Sequence, residues 1–281
     1  MIRRTSIVIA AVLLLAACGS SSAADDGLVS KFDTDQAAGT ESAVPLPSEA
    51  ETTSPPGTYL YRACPRGGPA RGTTHLRATD LPVDGDVVVR GSRVTLEHAT
   101  DLVLLDGTVR SGNGYDGATG GGGDPLRVAR EPVTAPVTLA VINGPNLGRR
   151  VAFLEVQVRP ATPVRWAEAS TLGIVTDGGD GAFIRGGALG SDGSDEDIND
   201  YVGAFYPDGD STSGNVCVLA VTRAGDIDSV MFSTGIGDGS YATFAGYDEA
   251  GEIVSLVSYG GLVPWSASGL PGRPPPADAL G

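Results

Sequence analysis

Apolar and polar positions along this chain change places every one or two residues, in short runs that seldom last long enough for a helical period. The stretch GDVVVRGSRVTLEHATDLVLLDG, residues 85–107, sets valines and leucines between turn residues at strand spacing. Residues 133–142, 151–158, 216–222 and 229–233 are further β-branched or apolar runs of strand length. Two stretches depart from that pattern. Residues 165–170 (RWAEAS) suggest a helical turn or two. At 194–205, Ser194 is an N-cap and Asp195, Glu196 and Asp197 suit a first turn, while Ile198, Tyr201, Val202 and Phe205 share one face. The pattern therefore predicts a mainly β fold, an antiparallel sandwich or partly open barrel with one or two short helices.

The most distinctive stretch is TGIGDGSY, residues 234–241. A glycine loop that cradles phosphate needs a helix behind it, because the free N–H groups of the helix N-terminus hold the anion. Here Tyr241, Phe244 and Tyr247 alternate with small residues, a turn follows at 248–251, and 252–259 is again strand-like. The expectation is a β-meander. Gly235, Gly237 and Gly239 supply positive φ angles and Asp238 ties the turn to itself. The stretch VINGPNLGRR is similar to the opening of type II dehydroquinases. It runs straight into another strand with no tyrosine nearby, so a hairpin loop accounts for it.

Composition adds the chain's outer organisation. Arg3 and Arg4 precede an apolar run from Ile7 to Ala17, too short to span a bilayer comfortably. The run ends Leu15-Ala16-Ala17-Cys18-Gly19, which resembles the lipobox of bacterial lipoproteins. That resemblance implies a signal peptide over 1–17, diacylglycerol on Cys18, and a place on the extracytoplasmic face of the cell membrane. An ordinary secretory signal with Cys18 incidental is the alternative. Residues 18–57 carry few large apolar groups and read as a disordered tether, spanning on the order of 35 Å. The expected β-rich domain covers 58–268, and the proline-rich 269–281 reads as a tail. Without Arg3 and Arg4, 17 basic residues face 34 acidic ones, a formal charge of −17. That field repels nucleic-acid phosphates, so no nucleic-acid partner is expected.

Chemistry-bearing residues are few. Cys64 and Cys217 are a possible disulfide in an oxidising compartment, or two separate thiols. The only histidines are His75 and His98, and neither a Gly-x-Ser-x-Gly elbow nor a His-Glu-x-x-His zinc sequence occurs. Asp177, Asp180 and Asp238, with Tyr241, form the candidate binding loops. The three aspartates are also weak calcium candidates if their glycine-rich loops converge, the alternative being ordinary turn carboxylates. No other cofactor is expected.

At this point FSTGIGDGSYATFAGYDEAGEIVSLVSY, residues 232–259, resembles the C-terminal signature of the bacterial domain-of-unknown-function family 4241. Three upstream blocks are similar to that family in the same order: Gly123 to Leu126, Pro163 to Ala169, and Asp177 to Phe183. Together they cover about 100–265. Arg185 stands where the family has an acid, and Ser258-Tyr259 where it ends Asp-Phe. The resemblance implies no activity. With so few catalytic groups, the residues favour a cell-surface binding module for an extracytoplasmic protein or glycan over an enzyme. The alternative is an envelope hydrolase with an Asp/Glu pair about 5–9.5 Å apart.

Overall fold

The computed structural model describes residues 60–61, 68–69, 74–81, 91–119, 121–144, 148–188, 218–223 and 225–280. All of these lie in the compact unit Thr52–Gly281. Cys18, Cys64, Cys217, the expected tether and the expected helix at 194–205 fall outside them. Among the described residues no helix is long and apolar enough to cross a membrane.

The fold is mainly β, as the alternation predicts, and every pairing between named strands is antiparallel. One sheet has six strands, in the order β1 (Leu60–Tyr61), β12 (Val218–Arg223), β13 (Asp226–Ser233), β11 (Asp180–Arg185), β5 (Thr108–Gly112) and β6 (Leu126–Arg127). The other runs β2 (Gly68–Pro69), β4 (Arg93–Leu104), β7 (Val133–Gly144), β8 (Gly148–Gln157), β16 (Ile253–Tyr259), β15 (Thr243–Tyr247) and β9 (Arg165–Glu168), with β3 (Thr79–Asp80) also on β4. A two-stranded ribbon, β10 (Ile174–Thr176) with β14 (Gly239–Tyr241), lies apart from both. Strands β7 and β8 pair antiparallel, with Gly144 opposite Gly148, as the expected hairpin requires.

Period-two alternation decides which residues meet between the sheets. Ala135, Val137, Leu139 and Val141 of β7 point inward, and Val109, Phe183, Val230 and Phe232 come from the six-stranded sheet to meet them. Phe183 and Phe232 stack with centroids 6.0 Å apart. Each such fully buried side chain contributes about 1.5–3 kcal/mol through lost apolar surface. Arg185, where the resembled family has an acid, follows Phe183 on the inner face and pairs with the fully buried Asp228 at 3.4 Å.

The eight-stranded sheet is covered on its outer face too. Leu76 and Leu81 precede β4, and Leu262, Val263, Trp265 and Ala267 follow β16. They close over Phe153, Trp166, Phe244 and Val257 to make a second core. Trp265 is its hub, with ring centroids 5.0 Å from Phe244 and 5.5 Å from Trp166.

Three expectations change. The stretch RWAEAS is not helical. Arg165–Glu168 is edge strand β9, whose Trp166 faces Gly246 of β15, and only Ser170–Leu172 turns, as a 3-10 helix. Packing of the indole outweighs local propensity. The one α-helix among the described residues is α1 (Gly114–Thr119), entered through a reciprocal cap in which Asp116 N–H donates to Asn113 Oδ1 and Asn113 N–H to Asp116 Oδ2.

The stretch from 269 is not a tail. Arg273 N–H donates to Val164 O at 2.8 Å, Trp166 N–H to Arg273 O at 3.0 Å, and the Trp166 indole to Pro271 O at 2.8 Å. Ala279 and Leu280 pack against the second core. Prolines exclude a ladder but not an extended segment whose carbonyls accept.

The meander is interrupted. Strands β15 and β16 form the expected hairpin, yet β13 lies in the other sheet, so TGIGDGSY carries the chain between sheets instead of joining neighbours.

Candidate functional site

The crossing at TGIGDGSY is built on backbone contacts that only glycine allows. Gly235 has φ +22°, and a Cβ there would lie 2.4 Å from Gly260 O. Gly237 and Gly239 take φ +125° and +148°. All three glycines therefore have the positive φ angles expected. The turn is not tied by Asp238. Instead Thr234 Oγ1 and Tyr241 Oη both donate to Gly237 O, at 3.2 and 2.6 Å. Thr234 N–H reaches across to Gly179 O at 2.9 Å, which seats the 177–180 loop against this turn.

The two loops therefore adjoin, but their aspartates do not converge. Asp180 is buried and serves the fold: its Oδ1 accepts from Thr176 Oγ1 at 3.0 Å and from Gly114 N–H, at the start of α1, at 3.2 Å. Asp177 and Asp238 are exposed at the tips of their turns. Among the described residues no three acidic, histidine or cysteine side chains gather as a metal site.

What the crossing does create is a cleft of about 450 Å³ beside β14. One wall is the turn with Ile236 and Asp238, and the floor is Gly239 to Ala242. The opposite wall is Tyr259 to Leu262 with Ala279 and Leu280. The walls are fixed. The Tyr259 ring stacks on Phe153 at 5.4 Å, and its hydroxyl donates to Val263 O at 2.8 Å. Burial also raises that hydroxyl above its ordinary value of 10.0, so it stays protonated and neutral near neutrality. Among the described residues Asp238 is the one charged side chain lining the cleft, and its carboxylate has no partner there.

The rim is unusually apolar for a water-facing edge. Val175 is 70% exposed and Ile236 65%, the two most exposed large apolar side chains among the described residues. Val175 stands opposite Ser240 in the ribbon register, so both side chains share one face of the ribbon.

A second cleft, about 410 Å³, contains Glu131 and Glu252. Both oxygens of Glu252 are occupied, by Arg130 and Arg159 at 3.1 Å each. That arrangement does not offer the free carboxylate pair a glycosidase uses.

One constellation escaped the sequence reading. Glu155 projects from β8 to the outer face and is fully buried. It accepts from His75 Nδ1 at 2.7 Å, His75 N–H at 2.9 Å, Ser255 Oγ at 2.6 Å and Thr74 Oγ1 at 2.5 Å. Although serine, glutamate and histidine meet here, Ser255 and Glu155 are closed off from solvent, so the cluster is a fastening for the segment at 74–81. A lone glutamate inside the apolar run VAFLEVQV was the only signal in the sequence, since a buried charge requires a partner.

Residues 191–258 match the family described as protein of unknown function (DUF4241), in agreement with the resemblance carried by the GIGDGSY block. The matched stretch includes β12 to β15, β16 as far as Ser258, and the whole glycine crossing. No curated protein and no solved structure matches the chain.

Proposed function

We propose that this chain is a lipid-anchored extracytoplasmic protein, held to the membrane through Cys18, whose β domain binds a protein or glycan at the cell surface. The observation that supports this reading is the cleft beside β14. It has rigid walls, an unpartnered carboxylate and, on its rim, Ile236, one of the two most exposed large apolar side chains among the described residues. The lipobox-like Leu15 to Gly19 and the polar stretch behind it support the anchor and the reach of the domain from the membrane. Neither cleft offers the hydrolase alternative a free carboxylate pair.

Two measurements test it. Cells fed radiolabelled palmitate should label the wild-type chain and not Cys18→Ser. Purified full chain on glycan and peptide arrays should bind members of one class, and Ile236→Glu should abolish that binding while the circular dichroism spectrum stays unchanged. Labelling of Cys18→Ser, or identical array profiles for wild type and Ile236→Glu, would overturn the proposal.

A further inference from the structure

We infer that the ligand of this cleft is an extended peptide carrying a lysine or arginine, laid along the open edge of β14; this rests on the cleft being the binding site. Three observations converge. Strand β14 pairs with β10 alone among the described strands, and Gly239 to Ala242 line the cleft; Ala242 O already accepts from Tyr259 N–H at 3.0 Å, so the open backbone is that of β14 itself. A strand edge with exposed backbone is a template for an added strand, whose main-chain hydrogen bonds supply affinity and whose alternate side chains enter pockets. Glycine keeps this approach clear: a Cβ at Gly237 or Gly261 would meet nothing within 4 Å, and one at Gly239 only the Tyr241 ring, at 3.9 Å.

The side-chain chemistry then selects the ligand. Ile236, Leu262 and Leu280 offer aliphatic surface, and Asp238 sits among them with no basic side chain in the lining among the described residues. The complement of an apolar cleft with a single unpartnered carboxylate is an aliphatic group next to a cation. The net charge of −17 left after the signal segment steers cations toward the protein in general, but only Asp238 fixes one here. A sugar is a poorer fit. Pyranose rings stack on open aromatic faces, whereas Tyr259 is stacked on Phe153 and Tyr241 is only 8% exposed.

The test uses the full chain in detergent micelles and fluorescein-labelled, C-terminally amidated hexapeptides, followed by anisotropy. The probes are Thr-Val-Lys-Val-Lys-Thr, its Glu-for-Lys counterpart, and the lysine peptide with alternate backbone nitrogens methylated. The lysine peptide should bind saturably and the glutamate peptide should not. Methylation, which leaves every charge and side chain in place, should weaken binding about tenfold. Asp238→Asn should weaken it about three- to fivefold, while Glu249→Gln, an exposed acid outside the cleft, changes nothing. Equal binding of the lysine and glutamate peptides, indifference to methylation, or equal effects of Asp238→Asn and Glu249→Gln would overturn the inference. Saturable binding of an N-acetylglucosamine oligomer that Ile236→Glu abolishes, with no peptide binding, would overturn the peptide ligand and leave the cleft as the binding site.

Discussion

His75 Nδ1 lies 2.7 Å from Glu155 Oε1, and Nε2 of the same ring lies 3.0 Å from Ala161 O. A carboxylate and a carbonyl both accept, so the ring makes both bonds only when both nitrogens carry protons. The pair closes over the outer face of the eight-stranded sheet and pins the segment that brings Leu76 and Leu81 into the second core. The segment at 74–81 is thus fastened by a buried hydrogen-bond cluster, with apolar packing on either side.

Removing Glu155 should cost more than its bonds contribute, because the groups that donate to it are left enclosed without their acceptor. Glu155→Ala strands the His75 ring and the Ser255 hydroxyl together. Stability in urea should fall by about 3–5 kcal/mol. A midpoint within error of wild type would contradict the assignment.

The same carboxyl makes stability depend on pH. Burial pushes the Glu155 carboxyl upward from 4.5, but the hydrogen bond and charge of His75, with bonds from Ser255 and Thr74, outweigh it and hold the group lower. The folded value is depressed, so this contribution is fully present above about pH 4.5 and is lost as pH falls through the folded value. The stability gap between wild type and Glu155→Gln should therefore narrow below pH 4.5. A gap that stays constant from pH 7 to strongly acid solution would count against it.

Two glycines, Gly235 and Gly237, in the same turn separate strain from collision. Gly235→Ala meets Gly260 O as well as an unfavourable φ, whereas Gly237→Ala has open space and pays in backbone conformation alone. Gly235→Ala should destabilise by about 1–3 kcal/mol beyond Gly237→Ala, read as a lower thermal midpoint. Equal midpoints would mean the crossing is not seated on Gly260.

Ending the chain at Gly269 should open the second core. The Trp166 indole loses its acceptor on Pro271, and Leu280 no longer covers its neighbours. Tryptophan emission should shift to longer wavelength and the melting temperature should drop. An unchanged spectrum would restore the reading of this stretch as a tail.

Arg185→Glu places an acid beside the buried Asp228 in place of the guanidinium 3.4 Å away. The variant should lose about 3 kcal/mol or more at neutral pH. Arg185→Met, similar in volume and uncharged, removes the ion pair but adds no second charge and should lose less. The ranking of the two by urea midpoint checks this.

Local patterning accounts for the strand grammar of the chain. Alternation between glycine and proline punctuation specified antiparallel strands, the hairpin at Asn143 to Gly148, and the hairpin of β15 and β16. It also specified positive φ at Gly235, Gly237 and Gly239. These follow from forces acting within a few residues, where side-chain period and backbone sterics leave little choice. Tertiary structure alone decided which strands are neighbours. Nothing within TGIGDGSY says that β13 and β14 belong to different sheets, because that depends on where Gly260, over twenty residues on, offers its backbone. The same holds for Asp180, which looks like a surface turn residue until α1 places an N–H against it. Trp166, read as helical, becomes a strand residue once Gly246 and Pro271 receive its ring. The cleft is likewise assembled from segments far apart in the chain. Asp238 and Tyr241 could be named from the sequence, while Tyr259, Leu262 and Leu280 could not, since long-range packing brought them to the same wall.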